Sequence, residues 1–74
     1  MADKQLDCKD MSCPMPIVKI SKAIKEMAPG QTLSVEATDL AFEADLKAWV
    51  GNMGHEILEF TDGSPQRAII RKCN

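Results

Sequence analysis

The chain has 74 residues, of which 45% are hydrophobic and 27% charged, and its formal net charge is −2. A chain this short buries only about 60% of the surface that its unfolded form exposes, so we expect one domain over residues 1–74. The longest uninterrupted apolar runs have three residues, as at 68–70, whereas a membrane span needs about 20. The excess of acidic over basic residues disfavours direct nucleic-acid binding, because that binding needs a positive field.

The N-terminal residues and the cysteines bear on the cellular compartment. Charges recur in residues 1–7, where a secretory signal would carry an apolar segment, which predicts a cytoplasmic protein. The three cysteines, Cys8, Cys13 and Cys73, are odd in number and irregularly spaced. Without an export signal they are more typical of thiols than of a disulfide framework. They also lack the short paired spacings of zinc sites, so we expect neither a metal nor another cofactor.

The first half of the chain predicts a strand followed by a helix. Residues 5–8 are a short candidate strand ahead of a polar loop. Apolar residues then recur at helical spacing over 17–27, and this stripe consists of Ile17, Ile20, Ile24 and Met27. Pro14 and Pro16 fit only the first turn of such a helix, where no internal N–H partner is needed. The Pro-Gly pair at 29–30 predicts where the helix ends.

The second half predicts a strand, a helix and a hairpin. Residues 32–38 alternate polar and apolar side chains, which is typical of a half-buried strand. Asp39 stands where an N-cap is expected, and Gly54 closes the second helix. The apolar stripe of that helix consists of Phe42, Leu46, Trp49, Val50 and Met53. Two further strands, 56–61 and 67–72, are joined by Asp-Gly-Ser-Pro, a turn sequence that favours an antiparallel hairpin.

The order β-α-β-α-β-β defines the predicted fold class. Each helix has one apolar stripe and each strand one apolar face, which favours helices packed on one side of a sheet. We therefore predict an α/β (α+β) two-layer sandwich, with a four-stranded mixed sheet and both helices on one face. The strand order does not follow from the pattern.

Cys13 is the first candidate for chemistry because it stands at the predicted beginning of a helix. A free thiol has a pKa of about 8.5, and a helix N-terminus can lower it to about 7 or below, which favours the nucleophilic thiolate. Pro14 and Pro16 fix the backbone on either side of Met15, so these three residues are expected to position and support the thiolate. Cysteines are often simply buried, and we expect that of Cys8, which could alternatively act as a resolving thiol.

Other candidates have simpler interpretations. Cys73 is expected to be exposed and incidental. His55 could act as a base for Cys13, but a histidine after a helix C-cap is more often a capping or surface residue. The lysines of the first helix, Lys19, Lys22 and Lys25, are expected to form a solvated face, and the same face could also dock an acidic surface of a partner protein.

The segment Cys13-Pro14-Met15-Pro16 resembles the Cys-Pro-x-Pro motif of the TusA/SirA-type sulfur carriers. The resemblance extends over nearly the whole chain, through Leu6-Asp7, Ala23, Gly30, Leu33, Val35, Thr38-Asp39, Asp45, Trp49 and Gly54-His55. It implies the same two-layer fold. It also implies that Cys13 accepts a sulfur atom as a persulfide from a cysteine desulfurase or a rhodanese and passes it to an acceptor protein.

The resemblance further implies a sulfurtransferase that acts mainly as a sulfur carrier. We expect the protein to be a monomer. Uses in the family include 2-thiouridine formation in tRNA, molybdenum-cofactor pathways and dissimilatory sulfur metabolism. Two residues depart from the common pattern, because Asp10 replaces a glycine and Leu40 a proline. The Asp10 carboxylate would oppose thiolate formation, while Leu40 removes only a preorganised helix start.

A second hypothesis assigns the chain to a different class, the thiol-redox-responsive interaction modules. In that case Cys13 is oxidised or only packs, and the basic helix face binds a partner. This hypothesis predicts either a reversible disulfide between Cys8 and Cys13 or a complex that needs no thiol.

Overall fold

The computed structural model describes residues 2–12 and 15–74. Its elements are β1 (Lys4–Cys8), α1 (Met15–Lys25), β2 (Thr32–Ala37), α2 (Phe42–Met53), β3 (Glu56–Thr61) and β4 (Gln66–Arg71). The predicted order of strands and helices is confirmed. Within the described ranges neither helix has the length and apolar character needed to cross a membrane.

The four strands form one mixed sheet in the order β1-β2-β4-β3. β1 and β2 are parallel and are joined by α1, as the crossover of a parallel pair requires. β4 pairs antiparallel with both β2 and β3. The β3–β4 hairpin has a register shift between Ile57 and Glu59, and the Leu58 side chain between them is 49% exposed. The predicted mixed sheet, two-layer fold and antiparallel hairpin are therefore confirmed.

The core lies between the sheet and the helices. Alternate residues of the two central strands are buried, and the helices contribute one stripe each. The buried apolar residues are Cys8, Ile20, Ala23, Ile24, Met27, Leu33, Val35, Ala37, Phe42, Leu46, Val50, Ala68 and Ile70. Ile17 and Trp49 pack against this core but remain partly exposed. Most of the predicted stripe residues are thus confirmed as core.

Met53 is a correction to the predicted core, because its side chain is 46% exposed. It is the last residue of α2, where it lines a surface groove with His55, Lys72 and Asn74. The helical period alone placed Met53 on the buried stripe, but the helix ends at that residue. Met15, at the first residue of α1, is exposed to the same extent.

The helix ends differ in detail from the prediction. α1 ends at Lys25, before the predicted end at 29–30. The N–H groups of Glu26 and Met27 donate to carbonyls three residues earlier, which is the hydrogen-bond pattern of a 3₁₀ turn. The cap of α2 is Ala41 without a side-chain hydrogen bond, so the N-cap predicted at Asp39 is wrong. Asp39 instead accepts the Phe42 N–H through its backbone carbonyl, because a turn precedes the helix. The predicted C-cap, Gly54, is confirmed in a left-handed conformation, with φ of 79°.

Candidate functional site

The motif at the beginning of α1 is described through the residues that flank it, because Cys13 and Pro14 lie outside the described residues. The Met15 N–H donates to the Ser12 carbonyl at 2.9 Å, which joins the two flanks of the motif. The Met15 side chain is 46% exposed, whereas Pro16 is buried in the first turn of α1. The predicted place of Pro16 is therefore confirmed, and Met15 presents an apolar surface beside the motif.

The loop after β1 explains a departure from the family pattern. Asp10 has φ of 64°, in the left-handed region that glycine adopts freely and that aspartate tolerates better than most residues. Its N–H donates to the Thr38 hydroxyl at 2.9 Å. A glycine at this position is therefore favoured by backbone conformation, and Asp10 keeps that conformation while adding a carboxylate three residues before Cys13.

The loop between β2 and α2 lies against the same end of the sheet. Gln66, only 9% exposed, donates its side-chain N–H to the Asp39 carbonyl at 2.7 Å. The Asp39 Oδ2 atom is buried and accepts no hydrogen bond from the described residues. Leu40, by contrast, is 96% exposed. The loop that leads to the motif and the loop that leads to α2 are thus held by specific hydrogen bonds, from the Asp10 N–H to the Thr38 hydroxyl and from the Gln66 side chain to the Asp39 carbonyl.

Gln66 is the supporting residue that the sequence reasoning missed. It is the first residue of β4, in the same alternation as buried Ala68 and Ile70. A polar residue at a strand position that alternates with buried apolar residues indicates a buried amide, and a buried amide needs a hydrogen-bond partner. Gln66 was not recognised as such a residue because the strand was predicted to begin at residue 67, one position later.

Cys8 is a core residue. Its side chain is fully buried, and burial raises the pKa of its thiol, with Asp7 adding to the rise and Lys19 opposing it. A buried thiol with a raised pKa is a poor nucleophile. The prediction that Cys8 packs is confirmed, and the alternative role as a resolving thiol would require the end of β1 to open.

Cys73 and His55 lie together at the other end of the fold. Cys73 is an exposed free thiol, as predicted, and its N–H donates to His55 Nδ1 at 3.2 Å. The His55 ring lies 5.7 Å from the Trp49 ring, centroid to centroid. Burial, followed by the charge of Lys72, lowers the pKa of His55. His55 follows the end of α2, and Cys73 follows the end of β4. The structure therefore gives His55 a structural partner, which agrees with the capping and surface interpretation.

The exposed side of α1 carries the three lysines predicted as a basic stripe, Lys19, Lys22 and Lys25. Lys22 and Lys25 border a groove between α1 and α2 that Ile17, Val18, Ser21 and Trp49 also line. Across residues 2–12 and 15–74, no group of three His, Cys, Asp or Glu side chains is arranged to hold a metal ion.

Comparison with known proteins decides the family. Residues 4–72 match the family described as "Sulfurtransferase TusA". The chain belongs to the TusA sulfurtransferase family. A Bacillus subtilis relative named "Putative sulfur carrier protein YrkI" is 51% identical over 61 residues, which are 82% of this chain and 81% of the relative. The resemblance found in the sequence is thereby confirmed.

Two further comparisons concern length and fold. The B. subtilis protein named "Putative sulfur carrier protein YrkF" is 44% identical over 68 residues, which are 90% of this chain but only 37% of that protein. The crystal structure of a SirA-like protein from Desulfitobacterium hafniense superposes with a TM-score of 0.81 at 20% identity. That match covers 96% of this chain and 99% of the other, and it shows that the two share a fold.

Proposed function

We propose that this TusA-family chain is a sulfur carrier in which Cys13 holds the transferred sulfur atom as a persulfide. One observation carries the proposal. The family match spans residues 4–72 and contains Cys13-Pro14-Met15-Pro16, while Cys8 is buried in the core. Of the two remaining thiols, only Cys13 belongs to a motif.

The reaction proposed is a pair of thiol exchanges without net oxidation. The Cys13 thiolate attacks the outer sulfur of a donor persulfide, the donor S–S bond breaks, and the donor cysteine leaves as a thiolate. The outer sulfur, with its proton, is then bonded to Cys13. In the second exchange an acceptor thiolate attacks that sulfur and Cys13 leaves as a thiolate. Atoms, electrons and protons balance in each step, so no cofactor is needed.

The residues around Cys13 have supporting roles in this proposal. Pro14 and Pro16 restrict the backbone, and Met15 presents an exposed apolar side chain at the beginning of α1. The beginning of α1 favours the thiolate, and the Asp10 carboxylate opposes it. The chain would act mainly as a carrier, so recognition of substrates belongs to its protein partners.

The partners proposed are a cysteine desulfurase or a rhodanese as donor and a further protein as acceptor. The acceptor would feed tRNA 2-thiouridine formation, a molybdenum-cofactor pathway or dissimilatory sulfur metabolism. We propose a cytoplasmic monomer whose Lys19, Lys22 and Lys25 contribute to partner docking. Neither a nucleic acid nor a membrane is a direct partner in this proposal.

Intact-mass spectrometry tests the proposal. The purified protein is incubated with a cysteine desulfurase and cysteine, or with a rhodanese and thiosulfate, and then divided into samples with and without reductant. We expect a gain of one sulfur atom that reductant removes. Cys13→Ser should abolish the gain, while Cys8→Ser and Cys73→Ser should retain it. Loading that persists in Cys13→Ser would overturn the assignment.

The redox-responsive module makes a different prediction for the same samples. It requires a Cys8–Cys13 disulfide after mild oxidation, or a complex that is independent of thiols. The burial of Cys8 argues against the disulfide. Peptide mapping after mild oxidation would detect that bridge, and finding it without any sulfur loading would favour the module over the carrier.

A further inference from the structure

The loop between β1 and α1 is tied to a distant part of the chain at Asp10. The N–H of the preceding residue, Lys9, donates to the nearby Asp7 carboxylate at 2.9 Å. The Asp10 N–H instead donates to the Thr38 hydroxyl, also at 2.9 Å, although the two residues are 28 positions apart. This bond therefore fastens the loop, three residues before Cys13, to the loop between β2 and α2.

The backbone of Asp10 needs such a contact. Its φ of 64° lies in the left-handed region, which costs aspartate more free energy than glycine. The Lys9 side chain also reaches β2, at 3.5 Å from Glu36. A partly exposed ion pair of that length contributes little and does not restrain the φ of the next residue. Among the described residues, the Thr38 hydroxyl is therefore the contact that favours the observed conformation of Asp10.

Thr38 is itself held in place on both sides. It directly follows Ala37, the last residue of β2, which pairs with residues of both neighbouring strands. The next residue, Asp39, accepts two hydrogen bonds through its carbonyl, from the buried Gln66 side chain at 2.7 Å and from the Phe42 N–H at 3.1 Å. The Thr38 hydroxyl is thus an acceptor whose position is set by the sheet and by the beginning of α2.

We propose that Thr38 is a positioning residue for sulfur transfer, because through Asp10 it fixes the loop from which Cys13 must reach the persulfide of a docked donor. This inference rests on the proposed carrier function. Transfer requires the attacking thiolate to reach one sulfur atom of the donor persulfide, and misplacing a reacting group by about 1 Å can slow a reaction about 100-fold. Loss of the Thr38 hydroxyl therefore lowers the maximal transfer rate and leaves the affinity for the donor unchanged.

Thr32 provides a matched control at the opposite end of β2. Its hydroxyl accepts the Asp3 N–H at 3.2 Å, so it also joins β2 to the chain beside β1 through a threonine hydroxyl. Thr32 is the first residue of β2, whereas Thr38 follows the last. Replacing either threonine by valine removes the hydroxyl and keeps the shape of the side chain. Thr38→Ser removes the methyl group and keeps the hydroxyl.

The test follows single-turnover transfer in a Cys73→Ser background, in which Cys13 and buried Cys8 are the remaining thiols. A persulfide-charged cysteine desulfurase or rhodanese, whichever loads the parent chain, is mixed with increasing concentrations of each variant. We expect Thr38→Val to lower the maximal rate about fivefold or more, with the half-saturating concentration changed less than about twofold. Thr38→Ser and Thr32→Val should keep both quantities within about twofold of the parent chain.

Several results would overturn the positioning role. An unchanged maximal rate in Thr38→Val, an equal loss in Thr32→Val, or no recovery in Thr38→Ser would each do so. Because Thr38 is exposed, it could instead contact the donor directly, and a change confined to the half-saturating concentration would assign it that role.

Hydrogen exchange of the Asp10 amide measures the bond itself. We expect Thr38→Val to accelerate this exchange about fivefold or more and Thr38→Ser to restore it, because exchange reports local opening. The Lys9 N–H, which donates to Asp7, should be unaffected. Unchanged exchange of the Asp10 amide in Thr38→Val would refute the proposal, since the hydroxyl would then not be what holds the loop.

Loading by inorganic polysulfide separates this inference from the function on which it rests. Polysulfide loads a thiolate by the same exchange but needs no protein interface, so all three threonine variants should load at the parent rate. If Thr38→Val slowed polysulfide loading as much as transfer from the donor, the hydroxyl would act on the reactivity of the thiol, and the positioning role alone would be wrong. Failure of the parent chain to load from polysulfide and from both donors would contradict the carrier function itself.

Discussion

The two helices share a sheet face but use their outer surfaces differently. On α2, Lys47 pairs with Glu43 at 2.6 Å and lies 5.9 Å from the centre of the Phe60 ring. On α1, Lys22 and Lys25 have no such partners among the described residues. The lysine of α2 is therefore paired within its own helix, whereas Lys22 and Lys25 of α1 are exposed to solvent. Similar amphipathic patterns thus give one helix whose lysine is paired within the fold and one whose exposed lysines form no ion pair with a described residue.

The largest expected effect tests whether both helices are equally anchored. Phe42 of α2 and Ile20 of α1 are both essentially fully buried. Truncation leaves a cavity, so Phe42→Ala should lower the free energy of unfolding by about 3–5 kcal/mol and Ile20→Ala by about 2–5 kcal/mol. Chemical denaturation measures both, with Leu58→Ala as the exposed control. A loss below about 1 kcal/mol in either helix would mean that the helix is not packed as described.

The next prediction concerns the loop that leads to α1. Asp10→Val should lower the free energy of unfolding by about 1–2 kcal/mol, because a β-branched side chain fits poorly at φ of 64°. Asp10→Gly should cause no comparable loss. Thermal or chemical unfolding of the two variants separates backbone conformation from the loss of the carboxylate. Equal losses would show that the carboxylate, rather than the conformation, is what the fold requires.

A third prediction uses pH at the far end of α2. The folded pKa of His55 is lowered, chiefly by burial, and Nδ1 accepts the Cys73 N–H. The neutral ring is therefore favoured in the folded protein. This contribution to stability is complete above the unfolded pKa of about 6.5 and is lost as pH falls through the lower folded value.

The corresponding measurement is the melting temperature between about pH 7 and pH 5. His55→Asn is the matched control, since its side-chain oxygen can accept the same N–H without titrating in this range. The wild type should lose stability with acidification more steeply than His55→Asn. The carboxylates with lowered pKa, such as Asp7 and Glu36, respond at lower pH. Parallel profiles for wild type and variant would contradict the assignment.

The smallest expected effect sharpens the contrast between the helix surfaces. Lys47→Ala removes an i,i+4 ion pair and should cost about 0.3–0.5 kcal/mol. Lys22→Ala removes no ion pair to residues 2–12 or 15–74 and should leave the free energy of unfolding unchanged within error. Chemical denaturation at low salt, where such pairs are strongest, provides the measurement. A larger loss for Lys22→Ala would reveal a structural partner for that lysine.

Much of the fold was predictable because the spacing of apolar residues and the positions of the turn residues indicated the same helices and strands. The alternation of β2, most of the buried stripe of each helix, the C-cap at Gly54 and the β3–β4 hairpin were predicted correctly from the sequence, whereas Met53 was wrongly placed in the core. The strand order was not, because local patterns do not specify which strands pair. The N-cap at Asp39 was predicted wrongly, since the sequence could not show that a turn would place Ala41 at the helix cap.

The candidate site was only partly predictable. The Cys-Pro-x-Pro motif, buried Cys8 and exposed Cys73 follow from local chemistry or position. The hydrogen bond from Gln66 to Asp39 joins residues 27 positions apart, and that from Asp10 to Thr38 joins residues 28 positions apart. Local sequence patterns do not reveal such distant contacts. Likewise, only the fold reveals that, among the described residues, the α1 lysines form no ion pair whereas Lys4, Lys9 and Lys47 do, because most ion pairing depends on tertiary contacts.

The central claim is that Cys13 carries sulfur that can be passed on. The most direct measurement loads the protein from radiolabelled cysteine through a cysteine desulfurase, removes the donor, and adds an excess of a thiol acceptor. We expect the label to map to the peptide containing Cys13 and to move to the acceptor as a persulfide. Label on Cys8 or Cys73, or label on Cys13 that the acceptor cannot remove, would contradict it.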